Sequence, residues 1–191
     1  MRVAMLGGSF DPVHIGHLFI AEEAKVNLGY ERIVFVPAFQ PPHKDNRPEA
    51  GDTARLEMLR LAVNGRDDFE IESYEIDRKG VSYTIDTVGY LESRLEVTGK
   101  LGLIIGDDLV GDFDSWKRSA ELVDRVDIVV ATRDGARSAS PVLRDYARID
   151  NSPLPVSSSE IRTRARSGRA YRYLVPEGVY DYIRERRLYT S

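Results

Sequence analysis

Four short apolar runs, residues 3–6, 33–36, 101–105 and 128–131, cross the chain without polar alternation, and residues 69–73 form a weaker fifth. Runs of that length fit strands covered on both faces, as in a parallel sheet. Between them the period changes. Residues 17–28 are rich in helix formers and stop before Gly29, a residue suited to a helix C-cap. Leu56, Leu59 and Val63 keep helical spacing after a start at Asp52 or Thr53, and Ile85, Val88, Leu91 and Leu95 form a second stripe opened by Ser82 or Thr84. Residues 158–167 and 176–187 complete the helical set, with Pro176 in a first turn and Gly168 at a stop. This alternation predicts an α/β fold: a doubly wound, Rossmann-like parallel sheet with flanking helices and a small C-terminal helical portion over residues 157–191. Residues 38–51 break the rhythm, being long, polar and proline-rich, and mark a candidate lid. In such a sheet the segments after Leu6, Val36, Ile105 and Ala131 converge on one site.

Composition narrows the partners. The 191 residues, 42% hydrophobic and 30% charged, suit a single domain with its own core. The absence of cysteine leaves no disulfide framework and no thiolate metal site. The first apolar run is too short for a signal peptide, and no run reaches the roughly 20 apolar residues of a membrane span. A soluble cytoplasmic protein with no membrane partner is expected. A net charge of −4 argues against a nucleic-acid partner. Eight arginines between Arg162 and Arg187 nevertheless make one end basic, which suits a small polyanion as well as it suits solvated helix faces. A homo-oligomer is neither required nor excluded.

The chemistry gathers at two places. Gly7 and Gly8 follow the first apolar run, where glycines are expected to let the backbone turn sharply and bring N–H groups to a phosphate. His14 and His17 stand three apart at a helix start, so both can reach one ligand and donate to phosphate oxygens as charge develops. The second place is Pro155-Val156-Ser157-Ser158-Ser159-Glu160-Ile161-Arg162. Hydroxyls and N–H groups at a helix start can cradle phosphates there, with Arg162 as a planar cation.

His14-Ile15-Gly16-His17, with Gly-Gly-Ser-Phe-Asp-Pro before it, resembles the (His/Thr)-x-Gly-His motif of the nucleotidyltransferase superfamily, which includes class I aminoacyl-tRNA synthetases. The Ser157–Arg162 segment resembles that superfamily's second signature. The chain is too short for a tRNA synthetase. Pro41-Pro42-His43-Lys44, Ser82-Tyr83-Thr84-Ile85-Asp86-Thr87, Ile105-Gly106-Asp107-Asp108, Ser115-Trp116-Lys117 and Arg172-Tyr173-Leu174-Val175-Pro176-Glu177 extend the resemblance end to end. Together they resemble the bacterial nicotinate-nucleotide adenylyltransferase family. A pantetheine-phosphate adenylyltransferase would be shorter and would usually lack the Ser-Tyr-Thr and Trp-Lys landmarks.

The resemblance implies adenylyl transfer from ATP to nicotinate mononucleotide, giving nicotinate adenine dinucleotide and pyrophosphate by in-line attack without a covalent intermediate. It implies Mg²⁺ brought with ATP and held mainly by phosphates, and no protein metal site. It makes His14, His17, Lys44 and Arg162 catalytic. Gly7, Gly8, Ser9, Phe10, Gly106, Asp108, Arg133, Ser157 and Ser158 would bind ATP, and Ser9, Phe10, Lys44, Thr84 and Trp116 would bind the mononucleotide. Trp116 would stack on the pyridine ring, and the helix start at Thr84 would favour a carboxylate over a carboxamide. One departure is Asp107, where the family commonly has a small residue; an extra carboxylate near phosphates must face away or engage Mg²⁺, which leaves the roles of Asp107 and Asp108 open. Two other readings are the same chemistry on another acceptor, such as nicotinamide mononucleotide or phosphopantetheine, and a nucleotide-binding regulator without turnover. The presence of His14, His17, Lys44 and Arg162 weighs against the regulator.

Overall fold

The elements follow in the order β1 (Val3–Gly8), α1 (Ile15–Leu28), β2 (Arg32–Pro37), α2 (Asp52–Ala62), β3 (Phe69–Ile71), α3 (Tyr74–Arg78), α4 (Thr84–Arg94), β4 (Leu101–Gly106), α5 (Ser119–Arg125), β5 (Val126–Ala131), β6 (Ala147–Ile149), α6 (Ser158–Arg166) and α7 (Glu177–Glu185). They belong to a computed structural model that describes residues 1–42, 47–133, 135 and 139–190. The strands form one parallel sheet in the order β3-β2-β1-β4-β5-β6. The order reverses between β1 and β4. That is the switch point at which doubly wound sheets bind ligands, because the connections leaving those two strands diverge. The register pairs Gly8 with Pro37 and Gly106 with Ala131, so four central strands end at one edge.

Alternate strand residues feed two cores. Ala4, Leu6, Phe35 and Ile104 face one, with Ile20, Met58, Leu59, Ile161 and Ile183 from α1, α2, α6 and α7. Met5, Val34, Leu103 and Val130 face the other, with Val88 and Leu91 from α4 and Leu122 from α5. Both faces are therefore covered, which is why the strands read as unbroken apolar runs. The C-terminal helices pack into the first core rather than standing apart from it.

Gly29 ends α1 at φ 70°, its N–H bonded to the Lys25 carbonyl, a left-handed cap that glycine adopts without a Cβ clash. Two N-caps differ from expectation. Gly51 and Tyr83, not Asp52, Thr53 or Ser82, stand at the N-caps of α2 and α4, and neither makes a side-chain cap bond. Asp52 is instead drawn to Arg47 and Arg55. Three elements went unread because they are short: β6 has two exposed residues of three, α3 has five residues, and α5 buries only Leu122. No helix among the described residues is long and apolar enough to cross a membrane.

Candidate active site

A cavity of about 1010 Å³ opens at the carboxyl edge of the sheet, over the switch point. Every site residue expected from the sequence lines it except Lys44, which lies outside the described residues. A smaller chamber of about 350 Å³ adjoins it, sharing His14, His17, Asp108, Arg133 and Ser157.

The turn after β1 is not made by its glycines. Gly7 and Gly8 are the last two residues of the strand, and the left-handed residue is Phe10, at φ 47°. The glycines serve access: a Cβ on Gly7 would stand in open space, and one on Gly8 would press the Phe10 ring at 3.2 Å. A bulky residue in that backbone region costs about 1–3 kcal/mol and persists only where its surroundings over-determine it. Here they do. Arg55, fully buried on α2, donates from Nη1 to the Ser9 and Ala38 carbonyls, both at 2.8 Å, and from Nη2 to Asp52 at 2.7 Å. The Asp11 carboxylate accepts the Glu49 and Ala50 N–H groups at 2.7 and 3.0 Å. Ser158 Oγ donates to the Pro12 carbonyl at 2.9 Å. Sequence reasoning missed Arg55. Its signal was an arginine at helical spacing with the buried Met58 and Leu59.

The two histidines form one unit. His17 Nδ1 accepts the His14 N–H at 3.2 Å, which assigns the ring proton of a neutral His17 to Nε2. Their ring centroids are 3.7 Å apart, and the Phe10 ring meets His17 edge-on at 4.9 Å. A Cβ on Gly16 would lie 3.0 Å from Val156 and 3.1 Å from the His14 ring, so the residue between the histidines has room for little else. His14 is 4% exposed, and its buried Nδ1 has no hydrogen-bond partner among the described residues. Burial, helped by the nearby Arg133 charge, lowers its pKa to about 3. His14 is thus neutral at physiological pH, so the stacked pair does not confront two cations.

This has a measurable consequence for stability. Between about pH 6.5, the ordinary histidine value, and pH 3 the unfolded chain binds a proton at His14 that the folded chain refuses. Acidification through that window should therefore destabilise the native state by up to about 1.4 kcal/mol per pH unit. Denaturant titrations from pH 7 to pH 4 should show a shallower slope for His14→Asn; an unchanged slope would rule this contribution out.

Asp107 and Asp108 separate cleanly. Asp107 is 1% exposed and accepts the Arg133 and Gly135 N–H groups at 2.9 and 3.1 Å, tying down the loop after β5. Asp108 lines the cavity and pairs with Arg133 at 3.0 Å. A Cβ on Gly106 would overlap both Asp108 and Arg133, which accounts for that glycine. The extra carboxylate therefore serves the fold, and the one that lines the cavity is paired with a cation.

At α6 the serine hydroxyls are engaged within the protein. Ser157 Oγ caps the helix by accepting the Glu160 N–H at 3.2 Å, and Ser158 holds Pro12. The N-terminal end of the helix, with Ser157 and Ser158, and Arg162 all line the cavity. The Arg162 guanidinium donates to the Asp11 carbonyl at 2.7 Å and to Ser159 Oγ at 3.2 Å, with Glu49 3.4 Å from its Nε.

Across the cavity, Ser82 Oγ accepts the Phe39 N–H at 3.0 Å, joining the segment after β2 to the start of α4. The buried Glu75 accepts the Thr87 hydroxyl at 2.5 Å; burial raises its pKa, and bonds from Ser82 and Thr87 oppose that shift. Trp116 packs on Phe113 with centroids 5.1 Å apart. Lys117 beside it pairs with Asp86 at 3.2 Å and lies over the Tyr83 ring, fastening the Trp116 segment to the first turn of α4. Trp116 and Thr84 thus stand close together in the cavity that His14, His17 and Arg162 also line. Among the described residues no group of three or more histidines and carboxylates converges as a metal cage.

A doubly wound parallel sheet with a cavity over its switch point places the chain in the α/β class that binds ligands at that edge. The cytidylyltransferase-like family model matches residues 5–164. A Borreliella burgdorferi protein named "Probable nicotinate-nucleotide adenylyltransferase" is 40% identical over 191 residues, covering 100% of this chain and 98% of its own. A Treponema pallidum protein of the same name is 37% identical and covers 100% of each chain. The solved nicotinic acid mononucleotide adenylyltransferase of Plasmodium falciparum, complexed with NaAD, shares the fold with a TM-score of 0.81 at 20% identity, over 98% of this chain and 97% of its own. The chain belongs to the cytidylyltransferase-like family and, within it, to the nicotinate-nucleotide adenylyltransferases, and it is a nucleotidyltransferase.

Proposed function

We propose that this chain transfers the adenylyl group of ATP to nicotinate mononucleotide, a step of NAD biosynthesis. The observation that carries the reading is one cavity lined by His14, His17 and Arg162 together with Thr84 and Trp116. The relatives' names and the dinucleotide in the Plasmodium falciparum complex agree with it. The mononucleotide phosphate oxygen attacks the α-phosphorus of ATP in line. The bond from that phosphorus to the bridging oxygen breaks, and pyrophosphate leaves with the electron pair. The acceptor itself is the nucleophile, so the chain supplies position and charge. The triphosphate lies between the Phe10 turn and the start of α6, with Arg162 toward its outer phosphates and His17 Nε2–H toward the reacting phosphate. Mg²⁺ enters as part of the substrate, Mg·ATP, and neutralises phosphate charge. Pyridine stacking on Trp116 and the positive end of α4 at Thr84 receive the nicotinate.

The direct test is product analysis. ATP and nicotinate mononucleotide should give dinucleotide and pyrophosphate in equal amounts; pyrophosphate and AMP without dinucleotide would refute the reading. Trp116→Ala should raise KM for the mononucleotide about tenfold, as expected for losing roughly 1–1.5 kcal/mol of aromatic stacking. KM for ATP should stay within twofold, and steady-state kinetics with each substrate varied checks the split.

A further inference from the structure

The chain returns to the site at its far end. After α7, Arg187 and Tyr189 adopt left-handed backbone at φ 51° and 62°, and the chain bends back so that the Tyr189 ring joins the core holding Phe10. Tyr189 is 4% exposed, and its hydroxyl donates to Asp11 Oδ1 at 2.8 Å, across 178 positions of sequence. The same carboxylate accepts the Glu49 and Ala50 N–H groups just before α2. The Asp11 carbonyl in turn accepts from Arg162, whose Nη1 also stands 3.8 Å from Asp11 Oδ2. Asp11 is therefore the junction of four segments: the turn after β1, the residues leading into α2, α6 and the segment after α7.

From this junction we infer that Tyr189 is a positioning residue for ATP, its hydroxyl fixing Asp11 and, through Asp11, the Arg162 guanidinium. A phenylalanine would fill the core equally well, so the oxygen matters through Asp11. Burial and the Asp11 charge push the phenol pKa up, so it remains a donor throughout the working pH range. The inference rests on reading this cavity as an ATP site.

The test is Tyr189→Phe, which removes one oxygen. ATP binding without acceptor, followed calorimetrically, should weaken about tenfold, as for loss of a buried hydrogen bond to a charged group. KM for ATP should rise in parallel while KM for nicotinate mononucleotide stays within twofold. In an Arg162→Ala background the same change should add nothing, because the path runs through Arg162. An unchanged Kd for ATP, an equal rise in both KM values, or an additive loss in the double variant would overturn the inference. If the wild type binds ATP but forms no dinucleotide, the acceptor reading fails while the Kd comparison still decides the role of Tyr189. If the wild type does not bind ATP, both fall.

Discussion

Replacing His17 by alanine is expected to lower kcat by about 10²–10³-fold, the range for removing one charge-stabilising donor, with both KM values changed far less. The ring lines the cavity between the Phe10 turn and α6. Its Nδ1 is committed to the His14 N–H, so the donor is Nε2. That bond orients the ring before substrate arrives. Its benefit should appear mainly when negative charge builds on the reacting phosphate, hence in kcat. Losing it also leaves one helix-end N–H without its cap, a cost of about 1 kcal/mol that the fold should survive. Glutamine at position 17, which keeps a side-chain N–H, should recover part of the rate. Kinetics beside a thermal melt test this, and near-normal turnover in a folded alanine variant would remove His17 from the chemistry.

Arg162→Ala is expected to reduce kcat/KM for ATP by about 10³-fold, comparable to losing a phosphate-clamping arginine. The guanidinium is three-quarters buried, 23% of its side chain being exposed, and its fork is set by the Asp11 carbonyl and Ser159 Oγ. A lysine keeps the charge but not the planar fork, so Arg162→Lys should recover only part of the loss. Removing the cation also takes away a charge that stands near both the Asp11 and Glu49 carboxylates, leaving Glu49 paired with Arg166 among the described residues. Carboxylate repulsion should therefore oppose the triphosphate further. Initial rates with ATP varied, for alanine and lysine side by side, measure the effect; wild-type activity in the lysine variant would deny the fork a role, and equal activity of the two variants would deny one to the charge alone.

The sheet was legible because its strands are buried on both faces and so are uniformly apolar, and the helices because their stripes are long enough to show a period. The lining of the site was legible because two motifs sit at the ends of β1 and at the start of α6, which the switch point brings together. What stayed hidden depends on partners distant in sequence. Nothing local says that Phe10, not Gly7 or Gly8, takes the left-handed conformation, since the restraints come from Arg55, Glu49, Ala50 and Tyr189. The division between Asp107 and Asp108 is set by backbone N–H groups 26 and 28 positions away. The bonds that hold the α6 serines in place, Ser157 Oγ to the Glu160 N–H and Ser158 Oγ to the Pro12 carbonyl, likewise include a partner 146 positions away.

Selection of a carboxylate-bearing pyridine is the claim on which the assignment of Trp116 and Thr84 stands. The most direct measurement is kcat/KM for nicotinate mononucleotide and for nicotinamide mononucleotide with the same enzyme and saturating Mg·ATP. The nicotinate form should be favoured by at least several-fold, since a helix N-terminus favours negative charge by up to about 1–2 kcal/mol. Equal values, or a preference for the carboxamide, would contradict it.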